Sequence, residues 1–284
     1  MLKCLAIAAE HIRRAGGVQT VSSNEYDTTG HKAFPKFLTP IQNYMMSTFV
    51  RLRVWVGIVG LVFPFVLWGG GHLYQIPLAP SMSAYYHATA DCYDPKHSEG
   101  CPAGDLVKGG GPMRNTFVGL LFVIAAVMIF MKGFSYWEDF ALDIAGVAAA
   151  LVALNPMPWE RVKDGGFPIH SVSAVTFFVC LIFVCGFCSS KTLKYFPDTP
   201  GRDKKIAFYK LAYRICAGAM AISPIVAYVL TIKNTHNIFH FWIEALGIMA
   251  FGFFWLIKTT EFRLSDVERK VLKGEIHMDV ARLT

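Results

Sequence analysis

Charge is scarce in this sequence. Asp, Glu, Lys and Arg make up 17% of the 284 residues, against the ~25% usual in soluble domains. A soluble domain needs a charged surface. That deficit, beside 54% hydrophobic residues and 23 Phe, excludes an ordinary water-soluble globule and points to lipid as the solvent. No internal repeat is visible, and the chain reads as one membrane domain with two soluble ends. Paired broken helices are also missing, which speaks against a transporter. Nor does the chain open on the apolar core and small-residue cleavage site of a secretory signal. Met1–Gly17 carries Glu10, His11, Arg13 and Arg14 among Leu, Ile and Ala. It reads as a short amphipathic helix on a membrane surface, with a mitochondrial presequence as the rival reading.

What is present is a series of apolar runs near the ~17–25 residues that span a bilayer. Six occur: Val54–His72, Thr116–Met131, Phe140–Leu154, Ile169–Cys188, Leu211–Leu230 and Phe241–Ile257. Backbone in hydrocarbon must satisfy its own hydrogen bonds, so open strands are excluded and helices follow. The expected fold is all-α, a polytopic bundle of six transmembrane helices. Residues 1–53 form an arm, polar through 18–45, 54–258 the membrane domain, and 259–284 a tail. In the tail, Ser265 is a candidate N-cap for an amphipathic helix reaching Arg282.

The basic residues orient the bundle. Segments 1–53, 132–139, 189–214 and 258–284 hold 7, 1, 7 and 6 of them, and the opposite connections 73–115, 155–168 and 231–240 hold 3, 2 and 1. This 21-to-6 split places both termini in the cytoplasm or its equivalent. The net charge of +7 then belongs to a protein on an anionic leaflet, with no nucleic acid required. Lys191–Lys205 reads as a basic loop against lipid headgroups. Glu138, Asp139 and Asp143 complement the dipole at the start of the third span, with Lys132 and Lys210 as candidate partners for Asp143. Cys180, Cys185, Cys188 and Cys216 lie in or beside spans as small hydrophobes. Cys92 and Cys101, in outer loop 73–115, would form a disulfide if that side is oxidising.

Six of the nine histidines fall on the outer side: His72, His87, His97, His170, His236 and His240. Ser83 and His87 share a face if their segment is an α-helix, as do His236 and His240. Glu244 continues the latter stripe into the membrane, where a carboxylate is costly and by default functional. His87, His236 and His240 could hold Zn²⁺ and leave one position for water. Ser83, Arg114, His170 and Glu244 are then the candidate catalytic groups beside it. The competing reading makes the same residues an interfacial hydrogen-bonded cap. In either case His87 should meet His170, His240 and Glu244 at the outer mouth of the bundle, with Ser83 fixing the tautomer of His87.

The series P-S-M-S-A-Y-Y-H, M-R-N-T-F-V-G-L-L-F, I-H-S-V-S-A and F-W-I-E-A-L-G-I-M-A-F resembles a group of bacterial six-span membrane proteins of the DRAM-like set. The resemblance covers about residues 54–262 and rests on Ser83, Tyr86, His87, Arg114, His170, Trp242 and Glu244. That group has Arg-Asp where this chain has Arg114-Asn115. The Ser-x3-His and His-x3-His pieces are more distantly similar to the alkaline ceramidase superfamily. That similarity implies zinc on three histidines and hydrolysis of a lipid amide or ester. Two functions are therefore expected: a structural, accessory or lipid-binding membrane protein, or a zinc-dependent lipid hydrolase. The expected partners are membrane lipids and other membrane subunits.

Overall fold

The computed structural model of the chain describes residues 38–74, 76, 78–87, 111–155, 157, 168–232 and 238–272. The expected Met1–Gly17 helix, Cys92, Cys101, His97 and His236 lie outside these, as does the tail beyond Leu272. The chain divides into compact units 1–43 and 44–284. Of the first, only 38–43 are described, as helix. The second holds the helical bundle.

All regular elements among the described residues are helical, with no strand. They are α1 (Leu38–Leu73), α2 (Pro112–Phe130), α3 (Tyr136–Leu154), α4 (Ile169–Phe183), α5 (Arg202–Ile232), α6 (Ile238–Ser265) and α7 (Val267–Leu272). A short 3₁₀ helix, Ser83–His87, lies between α1 and α2. A π turn, Val184–Cys188, and a 3₁₀ segment, Ser189–Tyr195, continue α4. Five helical stretches are long and apolar enough to cross a membrane: Tyr44–Leu73, Pro112–Phe130, Ile169–Tyr195, Arg202–Leu230 and Phe239–Ser265. Helix α3 is not among them because Glu138, Asp139 and Asp143 all fall within its 19 residues.

Two expected boundaries move. Helix begins at Leu38, inside the stretch expected to be a polar arm, and Pro40 sits in its first turn, where proline costs no hydrogen bond. At the other end α6 runs on to Ser265, well past Ile257. Asp266 then takes a left-handed conformation, φ 53°, and breaks the helix. Ser265 does not cap α7. Its hydroxyl turns back to the Phe262 carbonyl at 3.4 Å, and the amide of Lys270 bonds the Asp266 carbonyl at 3.1 Å.

Helices α2, α3 and α4 pack in sequence, and α5 packs on α6. Helix α6 returns to α1 at a close backbone crossing: a Cβ on Gly252 would stand 2.7 Å from the Gly57 carbonyl oxygen and 2.8 Å from the Leu61 nitrogen. Small residues allow such approach, and dispersion between close backbones then holds the helices in a solvent as apolar as they are. Gly146 does the same for α3 against Ala125 of α2. Between these crossings sits an aromatic core in which Phe63 meets Phe117, Phe177 meets Phe251, and Tyr213 meets Phe254. The outward faces of α1 to α6 carry exposed apolar side chains, as at Trp55, Phe130, Val147, Val175, Ile222 and Phe253.

Candidate functional site: polar clusters at the two ends of the bundle

One end of the bundle carries Leu73, the 3₁₀ helix and the start of α6, and its polar groups form a cap. The turn is built by Ser81, whose buried hydroxyl accepts the Ala84 amide at 3.0 Å. Tyr85 anchors it: fully buried, edge-on to Phe241 and against Gly71, where no Cβ stands in its way. Glu244 closes the turn onto α6. One carboxylate oxygen accepts the Met82 amide at 2.8 Å, and the other accepts His240 Nε2 at 3.1 Å.

The other half of the cap binds loop carbonyls. His87 Nε2 donates to the Met157 oxygen at 2.6 Å and His170 Nδ1 to the Asn155 oxygen at 2.8 Å. Arg114 lies over the Tyr86 ring, 4.6 Å from its centroid, and donates to the Tyr86 hydroxyl at 3.2 Å. Burial holds the His87 pKa below its ordinary value, and the charges of Arg114 and His170 add to this, against the opposing pull of the Met157 carbonyl.

The sequence-derived candidates are thus partly brought together. Glu244 and His240 are paired, and Arg114 and His170 are near enough to His87 for their charges to act on it. Ser83 does not orient His87, whose Nε2 is taken by the Met157 carbonyl. The segment is 3₁₀, with three residues per turn, so residues four apart diverge by a third of a turn. The serine that matters is Ser81. For zinc, Nε2 of both His87 and His240 is already turned to a protein oxygen, the Met157 carbonyl and the Glu244 carboxylate. Among the described residues no three His, Cys, Asp or Glu stand together as a metal group.

A second cluster, at the basic end, was not foreseen. Lys258 and Glu261, 1% and 0% exposed, pair at 2.8 Å within α6. Lys258 Nζ also donates to the Ser189 carbonyl at 2.9 Å and the Thr192 hydroxyl at 2.7 Å. Glu261 accepts the hydroxyls of Thr192 and Tyr213, each at 2.7 Å. The 3₁₀ segment that follows the π turn supplies these acceptors. The Ser189 hydroxyl bonds back to the Val184 carbonyl at 3.0 Å, and the Ser189 carbonyl accepts the Thr192 hydroxyl at 3.0 Å as well as the lysine. All three ammonium protons have acceptors, so the network joins α4, α5 and α6 rather than presenting a charge to a ligand.

Around it, Arg53 and Lys258 both lie against the Phe262 ring, at 4.7 and 4.6 Å, and Arg53 pairs with Glu268 of α7. Glu138 and Asp139 receive the Phe134 and Gly133 amides and so tie down the loop before α3. Lys132 pairs with Asp139 at 3.7 Å. The signal for this cluster was Lys258-Thr259-Thr260-Glu261, which reads as the start of a soluble tail if the last span is ended at Ile257.

Compared with family models, curated proteins and solved structures, the chain matches none of them.

Proposed function

We propose that this chain is a six-span integral membrane protein with both termini on the Lys/Arg-rich, cytoplasmic side, and that it serves as a structural, accessory or lipid-binding subunit. In this reading α3 is the sixth span. Its acids gather in its first turns, where they cap the preceding loop, and Ala141, Ala145, Ala148 and Ala149 give it a smooth buried face. The polar cap lies on the outer side and acts as a fixed lid.

The observation that carries the lid is Glu244, with both carboxylate oxygens engaged by the protein itself. A carboxylate spent on a backbone amide and a histidine is arranged for closure, not for proton transfer to a substrate. One feature favours the zinc hydrolase as a second reading: Glu244 holds His240 as carboxylates hold metal-binding histidines. Metal analysis of the purified full-length protein, paired with assays on lipid amides and esters, separates the two. The lid predicts substoichiometric zinc and no turnover. One zinc per chain, lost together with hydrolysis in H240A, would establish the hydrolase instead. A C-terminal reporter placed on the outer side would overturn the topology.

A further inference from the structure

The long helix α5 carries Arg202, Lys204, Lys205, Lys210 and Arg214 towards its N-terminal end. Among the described residues only Arg202 of these has an acidic partner, Asp198 at 2.7 Å. Asp143, a candidate partner for Lys210 by sequence, does not pair with it. Lys210 and Arg214 are exposed and stand one turn apart. They are interleaved with Phe208, Leu211 and Ile215, which are 62, 58 and 62% exposed. Two unpaired cations thus share a surface with large apolar side chains. A soluble anion would leave that apolar surface in water, whereas a lipid satisfies both parts, with phosphate on the cations and chain on the hydrocarbon.

The surface just beyond Arg214 is bare. Gly218, one turn further along α5, has no atom outside its own stretch of helix backbone within 4 Å of where its Cβ would be, and Gly186 of the π turn, itself exposed, meets only Ala217, at 3.9 Å. Arg and Lys stems can lie along hydrocarbon while their heads reach the phosphate level. We propose that Lys210 and Arg214 hold the phosphate of an anionic phospholipid in the leaflet on the basic side, with its acyl chain lying over Gly186, Ala217 and Gly218. This inference is independent of the cap.

The test is native mass spectrometry of the full-length protein extracted from bilayers of equal phosphatidylglycerol and phosphatidylcholine. The wild type should retain phosphatidylglycerol in preference. K210Q/R214Q should lose that retention by roughly tenfold or more, given the attraction of each basic residue at an anionic surface. K204Q/K205Q removes the same charge nearer the helix start and should retain the lipid. G218L should weaken retention without any change in charge. Equal loss in both double variants means a diffuse electrostatic field and overturns the site, as does undiminished retention in K210Q/R214Q. Unchanged retention in G218L overturns the path of the acyl chain. If the double variant cannot be purified, R214Q against K204Q makes the same decision.

Discussion

Glu244 accepts a hydrogen bond from the backbone amide of Met82 at 2.8 Å, across 162 positions of sequence. This bond ties the turn between α1 and α2 to the last long helix, and it is made by the same carboxylate that receives His240. The cap is therefore held by an acid that would otherwise lie near the membrane boundary with no partner. Substituting Glu244 by Ala should lower unfolding stability by about 1–2 kcal/mol, the lower part of the range for a hydrogen-bonded charge because the side chain is partly exposed. E244Q, which keeps one acceptor oxygen, should lose less. Thermal unfolding in one detergent, compared across the three proteins, reads this order.

The cap should also loosen in acid. His87 is held below its ordinary pKa of 6.5, chiefly by burial. Above that pH the ring is neutral whether the chain is folded or not, and it contributes no pH dependence. As pH falls below 6.5, the unfolded chain takes up a proton before the folded one does, so stability declines. A melting-temperature series from pH 7.5 to 5 should show this decline in the wild type and a shallower one in H87Q.

At the basic end, breaking one partner of a satisfied buried pair differs from removing both. K258M leaves Glu261 buried without its counter-charge and should cost about 3–5 kcal/mol. E261L should cost a similar amount by stranding Lys258. The K258M/E261L double variant should recover much of the loss, because no uncompensated charge then remains in the bundle. Chemical unfolding of the three variants gives the coupling directly, and additive losses would show that the pair does not act as a unit.

Gly252 tests the α1–α6 crossing. A Cβ there would meet backbone atoms at 2.7 and 2.8 Å, and backbone cannot rotate away as a side chain would. G252L should therefore separate the two helices and abolish a stable purified protein, while G119L, at a glycine with open space around it, should be tolerated. Yield and monodispersity by size-exclusion chromatography discriminate the two.

The helical class was legible in the apolar runs, because hydrocarbon leaves backbone few alternatives. The pairing of His240 with Glu244 was legible too, since both lie on one α-helix at i and i+4. The role of Ser81 was not. Reading S-x3-H as an α-helical face assumed a pitch that the turn does not have, and the carbonyls of Asn155 and Met157 that hold His170 and His87 carry no side-chain signature. The Lys258 network was hidden for a different reason. Its charges lie beyond the apolar run, and their partners come from a 3₁₀ segment and a tyrosine on two other elements. Sequence periodicity registers faces of a single helix, not where several helices end together.

Hydrogen exchange at the Met82 amide, measured by NMR or by mass spectrometry with residue resolution on the full-length protein in lipid nanodiscs, tests the fixed lid most directly. The account predicts an amide that exchanges far more slowly than an open loop and loses that protection in E244A. A wild-type Met82 amide exchanging at the rate of an unstructured peptide would contradict it.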